Sequence, residues 1–157
     1  MKYLNILIAV VLLGLFSCKS KDNSTSDNPD GDPKKKNAST IVEGKISDSY
    51  GSLTTGDRYT INAVRVDGNM MYVDLSYSGG CKEHVFAAYG SAAIAKSLPP
   101  IRQIKINHNG NQDHCRAMIN QTVKIDLRNF TYKKEEGSQI YLNLEGYKER
   151  ITYTYKK

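Results

Sequence analysis

The segment "TVKIDLRNF" constrains the fold of this chain most, because Val123, Ile125 and Leu127 alternate with Lys124, Asp126 and Arg128. Successive side chains of a strand point to opposite faces, so this period makes one face apolar and the other charged, whereas a helix would scatter both sets. The same period recurs in "MMYVDLSYS", where Met71, Val73, Leu75 and Tyr77 oppose Tyr72, Asp74 and Ser76. In "QIYLNLEGY", Ile140, Leu142 and Leu144 oppose Tyr141, Asn143 and Glu145, and "IRQIKINH" puts Ile104, Ile106 and His108 on one face. "TIVEGKI", "RYTINAVRV", "HVFAAY", "HCRAMI" and "ITYTY" are further short runs bounded by Gly, Asn or Asp. Asp67-Gly68 lies between two of them, where Gly can take the positive φ of a tight hairpin. The segment "SAAIAKSL" predicts a short helix capped by Ser91 and stopped by Pro99-Pro100. A sheet with one dry face needs a second layer, and no long amphipathic helix is available to supply it. The expected architecture is therefore all-β, an antiparallel β-sandwich or small open barrel of about seven or eight strands with one short helix.

Composition agrees, with 11 Tyr and no Trp among many β-branched residues. The chain carries 22 Lys and Arg against 16 Asp and Glu, a net charge of +6. No basic stripe interleaved with stacking aromatics accompanies that excess, and "KKEEG" neutralises its own lysines, so no nucleic-acid partner is expected.

Ahead of the strands, "MKYLNILIAVVLLGLFSC" has an apolar run from Ile6 to Phe16. That is well short of the roughly 20 residues a spanning helix needs and fits the core of a secretory signal. "LFSC" resembles the bacterial lipobox, which implies cleavage before Cys18 and a lipid on it. Phe16 departs from that pattern, in which this position is usually small or β-branched. Beyond Cys18, "KSKDNSTSDNPDGDPKKKNAST" contains no large apolar side chain and cannot offset the entropy of ordering. Within it "DNPDGD" lacks the terminal bidentate Glu of a calcium loop. The expected organisation is a signal peptide over residues 1–17, the lipidated cysteine and a disordered tether over 18–40, and a single β domain over 41–157. The expected location is the bacterial cell envelope, lipid-anchored at the outer membrane.

With Cys18 assigned to lipid, Cys81 and Cys115 remain, and an even remainder in an exported chain argues for a disulfide. A thiolate zinc site built from Cys81, His84, His114 and Cys115 is the rival. Against it, His114 and Cys115 are adjacent and would face opposite ways on a regular strand, and exported thiols meet oxidant before metal. A third reading keeps the disulfide and gathers His84, His108 and His114 beside it, with Glu83 or Asp113 as carboxylate, to hold zinc or copper. The plain alternative has His108 partly buried on its strand and the other two histidines hydrogen-bonded to loop backbone, with no cofactor. No G-x-S-x-G or H-E-x-x-H is present, a disulfide removes the free thiolate, and Glu135-Glu136 sit in a lysine-rich turn, so no catalytic residue is assigned.

The stretches "SYSGGCKEHVF", "SLPP", "IKINHNGNQDHC" and "INQTVKIDL" resemble a group of small lipoproteins from Bacteroidota whose activity is not established. The resemblance covers about half of the chain, implies an exported, lipid-anchored β domain and supplies no catalytic residues. The expected function is that of a membrane-anchored, non-catalytic binding or accessory domain. Its partner would be a protein or glycan met through tyrosines such as Tyr141, Tyr147, Tyr153 and Tyr155. The alternatives are a metal-binding protein and a secreted-protease inhibitor presenting "SDSYGSLTTGD" or "NHNGNQDH".

Overall fold

The computed structural model describes residues 40–157. The expected leader, the expected lipidation at Cys18 and nearly all of the expected tether lie outside the described residues. Eight strands follow in chain order: β1 Thr40–Ser47, β2 Thr60–Asp67, β3 Met70–Gly79, β4 Val85–Ala95, β5 Ile101–Asn109, β6 Ala117–Asp126, β7 Gln139–Leu144 and β8 Ile151–Thr154. They form one sheet in the order β2-β3-β6-β1-β4-β5-β7-β8, which curls into a nearly closed barrel. The all-β open barrel expected from the alternation is therefore the architecture found. Met71, Val73, Leu75, Val123, Ile125, Leu127, Ile140 and Leu142 all point inward and are fully buried, as their two-residue period requires.

Strand directions depart from the antiparallel expectation. β1 runs parallel to both of its neighbours, pairing Thr40–Glu43 with Val123–Asp126 of β6 and Gly44–Ser47 with Ala88–Ser91 of β4. β5 and β7 are also parallel. Alternation reports which face is dry and carries no information on direction, so the sequence pattern suits either arrangement. Where β1 changes partners, the Phe130 ring fills the bend. A Cβ on Gly44 would stand 2.7 Å from Phe130 Cζ, and one on Gly90 would stand 2.8 Å from Cδ1, so both strands approach the ring only because they carry glycine there. Buried Arg102 pins this corner by donating from Nε to the Phe130 carbonyl at 2.8 Å and from Nη1 to the Ser91 carbonyl.

The helix expected over "SAAIAKSL" is absent, and β4 continues through Ala95 instead. Ile94 and Ala95 pair with Arg102 and Ile101 of β5 after a bulge, in which Ser91 Oγ accepts the Ala93 N–H rather than capping a helix. Eight residues with two large apolar side chains, Ile94 and the exposed Leu98, are too few for a helix to sustain itself, whereas the strand gains a ladder partner. Among the described residues the helical content is a single 3-10 turn at Tyr50–Ser52. The two "HCRAMI" and "TVKIDL" runs merge into the one strand β6. Tyr153, expected at the surface, is fully buried.

Candidate functional site

At the end of the barrel where β3 runs into β4 and β5 runs into β6, two turns face each other. Cys81 and Cys115 join them through a disulfide with Cα atoms 5.9 Å apart. Asp113 completes the join, because its Oδ2 accepts the backbone N–H groups of Gly80, Cys81 and Lys82 at 2.8 to 2.9 Å, and its Oδ1 accepts that of Cys115 at 2.9 Å. This carboxylate is therefore a clamp across the two turns. The N–H groups of Cys115 and Lys82, with smaller help from Cys81 and His84, hold it well below the usual carboxylate range.

His84 lies beneath the clamp, with Nε2 3.2 Å from Asp113 Oδ2 and Nδ1 2.7 Å from Nε2 of His108. His108 in turn places Nδ1 3.3 Å from the Asp57 carbonyl oxygen. The series Asp113, His84, His108, Asp57 thus links four separate parts of the chain. Aromatic rings close it in: Tyr77 stacks on His84 with centroids 4.6 Å apart, and Phe86 stacks on His108 at 4.6 Å with an interplanar angle of 4°. Gly79 makes room for the His84 ring, since a Cβ there would lie 2.6 Å from it. The side chains of His84 and Asp113 are 3% and 1% exposed, and His108 is 1% exposed. Burial pushes His108 below the ordinary histidine value, with the Asp57 carbonyl opposing and His84 adding to the shift.

Next to this chain is an open cleft of about 660 Å³, whose lining includes Asp57, Tyr59, Ile61, Ser78, Met118 and Glu145. It exists because β2 covers β3 only as far as Ser76, so Tyr77–Gly79 have β6 on one side and no paired strand on the other. A strap of residues 55–59 crosses that notch, fixed to β5 by the His108 N–H donating to the Thr55 carbonyl at 2.9 Å and the Asp57 N–H donating to the His108 carbonyl at 2.8 Å. Tyr59 Oη donates to the Ile106 carbonyl at 2.9 Å, and burial, with Glu145 nearby, pushes its phenol up to about 12.

No protein-family model and no curated protein sequence matches the chain. Solved structures do. A NigD-like immunity protein from Bacteroides caccae is similar to it at 13% identity with a TM-score of 0.56, over 74% of this chain and 64% of that one. The chain therefore spans just under two thirds of that structure, and at this identity the likeness shows the fold alone. Weaker likenesses, on which nothing further rests, are to a protein of unknown function from Bacteroides vulgatus (14% identity, TM-score 0.48, covering 75% of this chain and 57% of that one) and a toxin-related protein from Parabacteroides distasonis (13%, 0.42, 73% and 61%).

Of the three histidines, the fold brings His84 and His108 together and leaves His114 exposed, outside the series. Asp113 is the carboxylate that joins them, while Glu83 is exposed and offers its backbone carbonyl to Asn111 Nδ2. Among the described residues, the one group of three potential ligand atoms within 4.8 Å of each other is Cys81, Asp113 and Cys115, and two of these are spent in the disulfide. Sequence reasoning gave Asp57 no part in the histidine cluster and placed it only at the end of the loop "SDSYGSLTTGD". It enters through a main-chain carbonyl brought in by strap geometry, for which residue type gives no signal.

Proposed function

We propose that this chain is an exported, lipid-anchored β domain that acts by binding a protein partner in the notch beside β3, in an accessory or immunity-type role without catalysis. One observation carries the reading: an open cleft with an unpaired strand edge lies beside a titratable cluster that is itself buried, sharing Tyr77 and Asp57 with it. An unpaired edge recognises an extended segment through main-chain hydrogen bonds, and apolar lining such as Ile61 and Met118 adds side-chain pockets. Met118 is 70% exposed, which a solvent-facing side chain of its size tolerates at a contact surface. The fold shared with an immunity protein is compatible with this role.

A photoreactive residue placed at position 118, in the lipidated chain in its native membrane, tests the binding surface. The expected result is a discrete protein adduct that is missing when the same probe replaces exposed Leu98, and that is lost in a Ser78→Pro background. Identical labelling from both positions, or none, overturns the reading, and a saccharide adduct replaces the protein partner with a glycan. Mass spectrometry of the mature chain tests the anchor, where an unmodified Cys18 is the contrary outcome.

A further inference from the structure

The series from Asp113 to Asp57 fixes a proton count. Its three contacts are Asp113 Oδ2 to His84 Nε2, His84 Nδ1 to His108 Nε2, and His108 Nδ1 to the Asp57 carbonyl oxygen. Both ends are obligate acceptors, one a carboxylate and the other a peptide carbonyl. Each contact needs a hydrogen, so the series needs three, and two neutral imidazoles bring one each. We infer that this arrangement holds a third proton, making His84 an imidazolium that donates from Nε2 to Asp113 and from Nδ1 to His108, while neutral His108 donates from Nδ1 to Asp57, and that losing the proton releases the His108 ring from the Asp57 carbonyl and loosens the strap.

The release follows from tautomer exchange. When the series gives up one proton to solvent, His84 keeps its Nε2 hydrogen for Asp113, the hydrogen on its Nδ1 passes across the 2.7 Å contact to His108 Nε2, and His108 Nδ1 loses its own. A lone pair on His108 Nδ1 then faces the Asp57 oxygen, and that contact turns from attraction to repulsion. Placement of the charge on His84 agrees with its surroundings. It alone of the two rings is hydrogen-bonded to a carboxylate, whereas burial disfavours the charged form of His108.

Among the described residues, the other charged group acting on the rings is the Asp57 carboxylate, which opposes the lowering of His108. Tyr77, stacked on His84, and Tyr59, edge-on to His108, are phenols with raised pKa values, and Phe86 is apolar. Lys82 directs its ammonium to the Asn111 and Gln112 carbonyls, Asp57 directs its carboxylate to the Gly110 N–H at 2.7 Å, and Arg58 is exposed on the strap. The charge state stands without the binding proposal. Its effect on the cleft, whose wall is the strap, rests on that reading.

The chain has three histidines, so long-range ¹H–¹⁵N NMR of ring nitrogens in the full chain resolves the matter across about pH 5 to 8, the range over which histidine changes charge. The expected result is an acid form with both His84 nitrogens protonated and His108 protonated at Nδ1, giving way in a single step to His108 protonated at Nε2. Exposed His114 serves as the internal reference. Over the same step, protection of the Asp57 and His108 amides from hydrogen exchange, corrected for intrinsic rate, falls by about fivefold relative to Ile106, as loss of one hydrogen bond implies. One His108 tautomer at every pH, or His108 and His84 titrating at separate pH values, overturns the inference. A normal tautomer step alongside a failed cross-link from position 118 leaves the charge state standing and removes the binding proposal.

Discussion

At Phe130 one ring substitutes for two missing side chains. Gly44 and Gly90 leave the space it occupies, so its removal empties a site that neither strand can refill. Phe130→Ala is expected to cost about 3 to 5 kcal/mol in urea unfolding. Gly44→Ala costs about 1 to 3 kcal/mol by overpacking, and the penalty shrinks in part in a Phe130→Leu background, which relieves the clash with the ring and leaves the one with the Asp126 carbonyl oxygen at 2.8 Å. Equal penalties in the two backgrounds would remove the ring as the cause. The histidines call for the same atom-level accounting. Both ring nitrogens of His84 are engaged, at 2.7 and 3.2 Å, so a metal there must break the series, and His114 stands exposed apart from it. Elemental analysis of untagged protein is therefore expected to give sub-stoichiometric zinc and copper, with no rise in Tm on adding either. One equivalent of metal per chain would restore the metal-binding reading.

The elements that bear the site are two turns, and their stability is linked to pH and to redox state. Asp113 is held below its ordinary value of 3.8, so the unfolded chain binds its proton more readily than the folded one. Its contribution is present above 3.8 and is lost as pH falls through the folded value, so the 110–116 turn is expected to gain hydrogen exchange in acid, and Asp113→Asn to flatten that dependence. The disulfide closes a loop with a sequence separation of 34, worth roughly 3.8 kcal/mol in the chain-entropy view. Reductant should lower the urea midpoint accordingly, and an unchanged midpoint would mean that the Asp113 clamp alone joins the turns. These cysteines were legible in the sequence, as were β3, β7 and the second half of β6, because burial on one face imposes a period that a reader can count. The end of β4 was not legible, since alanine-rich residues follow whichever neighbour offers hydrogen bonds. The parallel pairing of β1 was hidden for a related reason, as direction is decided by the path of the chain between strands. The histidine series was half legible. The clustering of His84, His108 and Asp113 near the cysteines is visible in one dimension, whereas the Asp57 carbonyl reaches His108 only through the strap.

At the scale of the molecule, the barrel has one seam, between edge strands β2 and β8, and Asn69 stitches it. This residue sits in the β2–β3 turn beside Gly68, whose φ of 57° sets the hairpin. Its amide behaves as a peptide group laid across the gap: Nδ2 donates to the Lys156 carbonyl at 2.6 Å, while Oδ1 accepts the Lys156 N–H at 3.0 Å and the Tyr153 hydroxyl at 2.8 Å. Burial, with Asp126 nearby, pushes the Tyr153 phenol up to about 12, so it stays protonated and able to donate. The cleft lies away from this turn, where Ile61 meets Gly146. Asn69→Ala leaves the Tyr153 hydroxyl without its partner inside the barrel, at a cost of about 1 to 3 kcal/mol. Asn69→Asp keeps the acceptor for the Tyr153 hydroxyl and the Lys156 N–H but sets a carboxylate oxygen against the Lys156 carbonyl where the amide donated at 2.6 Å, so it should open the seam while leaving Tyr153 paired. Hydrogen exchange separates a seam from a general support, because opening confined to the seam raises the rates of β8 and β2 amides and spares β4 and β5. Uniform acceleration across all eight strands would mean that Asn69 supports the whole sheet, and that the barrel is closed by core packing alone.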